Sequence, residues 1–191
     1  MARIWFGLIA AFAFAAAAQA QKVERIIITD PGLYDYEVEK IDKTPDSVST
    51  GFKTIKNVRL LQRAERIPAT VGISFGFRFE IVGEPRNEPI TIRFVTRFPA
   101  GGLRNPQGKV LTVSENDRTH RIGEGNFRTY TFDEAWEAVP GTWTLEFWYQ
   151  GRMVGSQKFE VVKADAPVRP EFPRTVVDPR ASDRGIAPPA E

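Results

Sequence analysis

A strict alternation of apolar and polar residues over positions 71–81 constrains the fold of this chain more than any other feature. Apolar side chains occupy every odd position of this segment: Val71, Ile73, Phe75, Phe77, Phe79 and Ile81. Successive side chains of a β-strand point to opposite faces, so the pattern predicts a strand with one buried and one solvated face. A helix would instead repeat its apolar residues every three to four positions.

The same period of two recurs along most of the chain. It is clear at 90–98 and at 142–149. Weaker strands are predicted at Glu24–Thr29, Leu33–Glu39, Val58–Arg63, Lys109–Val113, Arg118–Ile122, Phe127–Phe132 and Lys158–Lys163. Turn signals that contain Pro and Gly separate them, for example Asp30-Pro31-Gly32 and Pro140-Gly141, and Asp133–Ala138 is the one candidate for a helical turn. Many short strands of this kind predict an all-β fold, an antiparallel β-sandwich.

The first twenty residues have a different character. A single basic residue, Arg3, precedes an apolar run that ends on the small-x-small sequence Ala18-Gln19-Ala20. These are the three parts of a secretory signal peptide, which predicts cleavage before Gln21. The alternative is a membrane anchor, but a span needs about 20 apolar residues and this run is shorter. We therefore expect residues 1–20 to be a signal peptide and the mature chain to contain no transmembrane span.

The last residues also depart from the strand pattern. From Ala164 onward the chain has six prolines, charges of alternating sign and no apolar period. Each proline removes a backbone donor and restricts the residue before it. We predict a folded domain over residues 21–164 and a disordered Pro-rich tail over residues 165–191, with a Pro-rich docking segment as the alternative for the tail.

Composition excludes several function classes. The chain has no Cys and a single His, His120, which excludes a disulfide scaffold, a thiolate zinc site and a cysteine nucleophile. It has 26 Lys and Arg against 24 Asp and Glu, so it is no polycation and no nucleic-acid partner is expected. No metal site and no cofactor are predicted. Together with the signal peptide, the lack of Cys and of Asn-x-Ser/Thr sequons predicts a periplasmic or secreted bacterial protein.

One motif suggests catalysis. The sequence Gly72-Ile73-Ser74-Phe75-Gly76 matches the G-x-S-x-G nucleophile elbow, and Asp117 and His120 follow it in the order of a hydrolase triad. An elbow needs a sharp strand-to-helix turn, whereas Ser74 lies inside a predicted strand. A serine-type hydrolase that uses Ser74 is therefore kept as the alternative function, and no catalytic residue is assigned.

Basic residues are concentrated between positions 93 and 128, where the sequence has seven basic and three acidic residues. Six arginines in this segment are candidate binding residues: Arg93, Arg97, Arg104, Arg118, Arg121 and Arg128. The planar guanidinium group binds phosphate and carboxylate through paired hydrogen bonds. The segment thus predicts an anionic glycan or lipid of the cell envelope as ligand, or an envelope protein as partner. The alternative is a solvated sheet face of mixed charge.

Three blocks of sequence carry a family resemblance. They are Phe75-Gly76-Phe77-Arg78-Phe79, Arg97-Phe98-Pro99 with Gly102-Leu103-Arg104-Asn105-Pro106, and the segment from Val139 to Leu145 with Phe159-Glu160-Val161. Over residues 26–162 the chain resembles an uncharacterised family of secreted bacterial proteins, the domain of unknown function 3859. The last hairpin is also similar to that of many immunoglobulin-like domains. The resemblance implies an immunoglobulin-like sandwich and export, and it supplies no catalytic residue. We therefore expect an exported, non-catalytic binding or accessory module.

Overall fold

The computed structural model describes residues 21–42 and 52–164. The predicted signal peptide and the predicted tail lie outside the described residues. Eleven β-strands and one 3₁₀ helix form within these ranges. They are β1 (Lys22–Asp42), β2 (Phe52–Arg63), β3 (Arg66–Pro68), β4 (Ser74–Glu84), β5 (Pro89–Arg97), β6 (Leu103–Arg104), β7 (Val110–Leu111), β8 (Val113–Arg121), β9 (Gly125–Thr131), the helix (Ala135–Glu137), β10 (Gly141–Tyr149) and β11 (Arg152–Val162).

The strands form two main sheets and one small hairpin. One sheet has the order β2-β1-β4-β9, the other has the order β3-β11-β10-β5-β8, and β6 pairs with β7. The all-β prediction is confirmed. The neighbours β1-β4-β9 and β11-β10-β5 correspond to strands A-B-E and G-F-C of an immunoglobulin sandwich. One pairing departs from the antiparallel prediction, because β3 runs parallel to β11.

Strand β1 is a single element of 21 residues. The segment Asp30-Pro31-Gly32, which the sequence predicts as a turn, is instead an irregularity within this strand. Asp30 adopts a positive φ of 55°, and the pairing with β4 shifts register between Thr29 and Gly32. A bulge of this kind absorbs extra residues without reversing the chain. From Tyr34 onward β1 pairs only with β2, and the two form a ribbon that continues past the start of β4.

Aromatic side chains fill the space between the sheets. Phe75, Phe77 and Phe79 of β4 are all buried, as the alternation predicts. The same alternation is wrong at Val71, which is 45% exposed because it lies in the turn that precedes β4. Trp143 of β10 is fully buried, and its ring centroid lies 5.0–5.9 Å from those of its aromatic neighbours Phe75, Phe98, Tyr130 and Phe132.

The 3₁₀ helix occupies the one segment that the sequence assigns to a helical turn. Glu137 is fully buried there, and its Oε2 accepts hydrogen bonds from the backbone N–H groups of Asp133 (2.6 Å) and Glu134 (3.0 Å). The Asp133 side chain accepts a hydrogen bond from Lys53 Nζ at 2.7 Å. The Asp133 side chain therefore links the segment after β9 to strand β2 of the β1–β2 ribbon.

Candidate functional site

Strand β5 places two arginines on the outer face of the five-stranded sheet. Ile92 and Phe94 point inward from this strand, so Arg93 and Arg97 point outward. In register, Arg93 lies between Asp117 of β8 and Trp148 of β10. Residues directly opposite each other in antiparallel strands share a face, so these side chains meet on the outer surface.

A groove of about 390 Å³ runs over this face, across β8, β5 and β10. Its lining is Thr91, Arg93, Val95, Arg97, Glu115, Asp117, Trp148, Gln150 and Gly151. The volume falls in the range of small-molecule sites, which join apolar or aromatic surface with a few convergent polar groups. Here the aromatic surface comes from the half-buried Trp148.

The two arginines that line the groove, Arg93 and Arg97, both form ion pairs. Arg93 Nε donates to Asp117 Oδ1 at 3.0 Å, and Arg97 Nε donates to Glu146 Oε1 at 2.7 Å. These hydrogen bonds and the attraction of the same carboxylates raise the pKa of both arginines. Glu146 is only 7% exposed, and its second oxygen accepts a hydrogen bond from Trp148 Nε1 at 2.8 Å. The buried carboxylate of Glu146 thus fixes both the Arg97 guanidinium and the Trp148 indole at the base of the groove.

The remaining candidate arginines lie elsewhere. Arg104 belongs to the β6–β7 hairpin and donates to the Gly108 carbonyl at 3.1 Å. Arg121 ends β8 and donates to the Asn87 carbonyl at 2.7 Å. Arg118 lies on the inner side of β8, opposite Ile92. The structure therefore does not bring the six arginines into one patch, and only Arg93 and Arg97 line the groove.

Arg128 corrects the expectation of a solvated basic face, because it is only 6% exposed. It lies opposite Phe77 in the pairing of β4 with β9, on the face that points into the sandwich. Its guanidinium donates to the carbonyls of Glu146 (2.6 Å) and Val95 (2.8 Å) and lies 4.8 Å from the centroid of the Phe94 ring. Burial lowers the pKa of Arg128 to about 9, although the Glu146 carboxylate acts in the opposite direction. Arg128 joins the two sheets and is not available to a surface ligand.

The structure does not assemble the hydrolase triad. Ser74 lies at the start of β4 and forms a 2.8 Å hydrogen bond with Thr131 across the strand pair. The His120 ring contacts Phe79, which lies five residues beyond Ser74 in β4, or about 17 Å along an extended strand. Asp117 points to the outer face of β8 and His120 to the inner face. His120 Nδ1 is 3.0 Å from Asn126 Oδ1, and burial lowers the pKa of its ring.

Sequence reasoning missed most of the groove. Trp148 and Glu146 occupy even positions of the 142–149 segment, the positions that the alternation assigns to the polar face. An aromatic residue on a polar strand face was a usable signal for a binding surface. No local pattern marks Gln150 or Glu115. Gln150 reaches the groove from the turn after β10, and Glu115 reaches it through strand pairing with Val95 of β5.

Two further observations concern the described ranges 21–42 and 52–164. No three His, Cys, Asp or Glu side chains there are grouped closely enough to hold a metal ion. None of the helices in this part of the chain has the length and apolar character to cross a bilayer.

The fold and the groove define a class: an all-β domain of two packed sheets in the immunoglobulin strand order, with an open groove on one outer face. The family described as "Domain of unknown function (DUF3859)" matches residues 21–161. The chain belongs to this family.

Two of the solved structures that are similar to this one come from Pseudomonas species. An immunoglobulin-like protein from Pseudomonas aeruginosa has 22% sequence identity and a TM-score of 0.49, over 76% of this chain and 100% of the other. The alkylpurine DNA glycosylase AlkC of Pseudomonas fluorescens, solved with DNA that contains an abasic site analogue, has 13% identity and a TM-score of 0.33. That match covers 71% of this chain and 31% of the glycosylase. No curated protein matches the chain.

Proposed function

We propose that this chain is an exported, non-catalytic binding module of a bacterial envelope, and that the groove over β8, β5 and β10 is its binding site. One observation carries the proposal. A concave surface of about 390 Å³ combines the indole of Trp148 with two arginine–carboxylate pairs on three adjacent strands. Side chains on the strands of a sheet are held more rigidly than side chains on loops, which suits a preformed site.

The serine hydrolase has no observation in its favour. Ser74 bonds to Thr131, and neither His120 nor Asp117 lies on the same part of the molecule. The anionic ligand expected from the arginine cluster also loses support. Arg93 and Arg97 face Glu115 and Asp117 across the groove, with Glu146 beneath them, so the groove has no excess of positive charge.

Cross-linking in cells tests the groove. The photoreactive residue benzoylphenylalanine replaces Gln150, which lines the groove, or Thr29, which is exposed on the other sheet. After irradiation of cells that make the full chain, we expect a shifted band from the Gln150 position and none from the Thr29 position. Equal adducts from both positions, or none from Gln150, would show that the groove is not the binding site.

Export is tested by the mass of the protein recovered from the same cells. The small-x-small sequence before Gln21 predicts a product that begins at Gln21 and is found in the periplasm or medium. Recovery of the full-length chain from the inner membrane would contradict export by a cleaved signal peptide.

A further inference from the structure

Building on the proposed function, we propose that the groove binds an uncharged glycan, with a sugar ring on the indole of Trp148 and sugar hydroxyls on the arginine–carboxylate pairs. Four observations lead to this ligand class. They are the balance of charge, the supply of donors and acceptors, the orientation of the indole, and the pairing of the strand beneath the groove.

The balance of charge disfavours an anion. Arg93 lies 3.0 Å from Asp117 and 3.9 Å from Glu115, and Arg97 lies 2.7 Å from Glu146. A phosphate or carboxylate would have to displace these carboxylates from the guanidinium groups or approach them against like charge. An uncharged ligand requires neither change, since the ion pairs stay intact while it binds.

The same pairs supply both kinds of hydrogen-bonding group. A guanidinium group has five N–H donors, and a carboxylate has about four acceptor positions. The hydrogen bond from Arg93 Nε to Asp117 Oδ1 uses only part of that capacity. A hydroxyl group both donates and accepts, so two neighbouring hydroxyls of a sugar can bond to the arginine and to the carboxylate of one pair. Charged partners make such hydrogen bonds stronger than neutral ones.

The indole of Trp148 is fixed before a ligand arrives. Its Nε1 donates to Glu146 Oε2 at 2.8 Å, and Glu146 is itself held by Arg97. A ring whose orientation is fixed in this way loses little conformational freedom on binding, which favours affinity. The indole offers a flat apolar face beside a polar rim, and the C–H face of a sugar ring, which is apolar, is complementary to it.

The strand beneath the groove disfavours an extended peptide. Peptides that bind to sheets usually add as a strand at a free edge and bond to its backbone. β5 is paired with β10 on one side and with β8 on the other, so its backbone offers no free edge. The groove floor therefore consists of side chains. Val95, its one aliphatic lining residue, is only 3% exposed, so there is little apolar surface to anchor a peptide.

The test uses the full chain as recovered from cells and a panel of soluble sugars. Neutral probes are maltohexaose, cellohexaose, laminarihexaose and chitohexaose, and the anionic probe is an alginate oligomer. Tryptophan fluorescence and titration calorimetry report binding. We expect saturable binding of a neutral probe whose affinity changes little between low and high salt, because no ion pair with the ligand forms.

Variants assign the binding to the groove. Trp148→Ala should weaken it about tenfold or more, and Trp148→Phe should retain part of the affinity. Arg93→Ala should weaken it as well, whereas Arg59→Ala serves as the matched control. Arg59 is also an exposed strand arginine paired to an aspartate on a neighbouring strand, Asp35, but it lies on the other sheet. Melting curves by circular dichroism check that each variant is folded.

The outcomes separate the ligand class from the site. Salt-sensitive binding of alginate alone would overturn the uncharged glycan, and so would failure of every neutral probe. If the Gln150 cross-link still appears in either case, the groove remains the binding site and only the ligand class is wrong. Loss of that cross-link means that the proposed function itself fails. Binding of a neutral probe that Trp148→Ala leaves unchanged would place the glycan outside the groove.

Discussion

The two sides of the sandwich interior differ in chemistry. On the side of β10 and β11, the inward positions carry large apolar side chains, among them Trp143, Phe147 and Phe159, and all three are at most 1% exposed. On the side of β8 and β9, most inward positions carry polar side chains, with Tyr130 as an aromatic exception. Among the polar ones are Asn116, Arg118, His120, Asn126 and Arg128, which lie opposite apolar core residues of the neighbouring strands.

The position of the strands in their sheets accounts for this difference. β10 and β11 lie inside their sheet, whereas β8 and β9 are the last strands of theirs. The inner face of a terminal strand borders solvent on one side. A long polar side chain can therefore lie there and still form hydrogen bonds. His120 bonds to Asn126 across the two sheets, and Arg128 bonds to backbone carbonyls of β5 and β10. Alternation thus identifies which residues share a face, but not whether that face is apolar.

The largest effect is expected on the apolar side. Trp143→Ala removes a fully buried ring and should lower the free energy of unfolding by about 3–5 kcal/mol. Thr144→Ala, one position along and on the outer face, should cost less than about 1 kcal/mol. Urea denaturation of both variants measures the contrast. Equal losses would mean that β10 is buried equally on both faces.

Arg128→Met tests the polar side. The change keeps an unbranched flexible side chain, although a shorter one, and leaves the carbonyls of Glu146 and Val95 without the guanidinium donor. Buried unsatisfied groups cost about 1–3 kcal/mol, and the removal of a desolvated charge offsets part of this. We expect a net loss of about 1–3 kcal/mol by urea denaturation. Arg59→Met is the control, since its exposed pair with Asp35 should be worth at most about 1 kcal/mol. An Arg128→Met variant as stable as the parent would show that Arg128 contributes no net stability.

Asn116→Leu removes a polar group from the same side of the interior and should increase stability. Among the described residues, Asn116 Oδ1 is one of the buried side-chain atoms without a hydrogen-bond partner. A side chain of similar size without polar atoms should raise the free energy of unfolding by up to about 1 kcal/mol. A decrease of that size, measured in the same urea series, would indicate that the amide is needed where it lies.

The smallest effect is a pH dependence at His120. Burial lowers the pKa of this ring, with a further contribution from Arg118, while the Asn126 hydrogen bond and Glu124 oppose the shift. The unfolded chain, with an ordinary pKa of about 6.5, therefore binds a proton at a higher pH than the folded one. The contribution of His120 to the free energy of unfolding is therefore fully present above pH about 6.5. It is lost as the pH falls toward the lower pKa that the ring has in the folded protein. His120→Gln should flatten the decrease in urea midpoint between pH about 7.5 and about 5.5. Parallel curves for the parent and the variant would contradict the lowered pKa.

The sequence predicts the fold class and most strands, because burial on one face imposes a period of two that is visible in a single segment. It does not reveal the unbroken course of β1 through Asp30-Pro31-Gly32, since a bulge and a turn use the same residues. The short strand β3 is also hidden, because its three residues pair with β11 nearly a hundred positions away.

The groove was less predictable for a related reason. Counting basic residues along the chain groups Arg93 with Arg118 and Arg128, although these side chains point to opposite faces of the sheets. The groove forms where Asp117, Arg93 and Trp148 meet in register, and register is set by the packing of the whole sandwich. No local spacing in the sequence contains this information.

The connectivity of β1 has a consequence for the order in which the domain can fold. As the chain is synthesised, β2 is the first strand that can pair with β1, and these two strands can form the ribbon without the others. The other edge of β1 stays unpaired until β4 has been made. Arg152 of β11, which donates to the Val23 carbonyl, and the buried Phe159 and Val161 come last. The apolar face of the β2-β1-β4-β9 sheet is therefore not fully covered until about residue 160 has been made. Late formation of contacts between residues distant in sequence is typical of slowly folding β-proteins. Until these contacts form, unpaired strand edges are exposed and can aggregate.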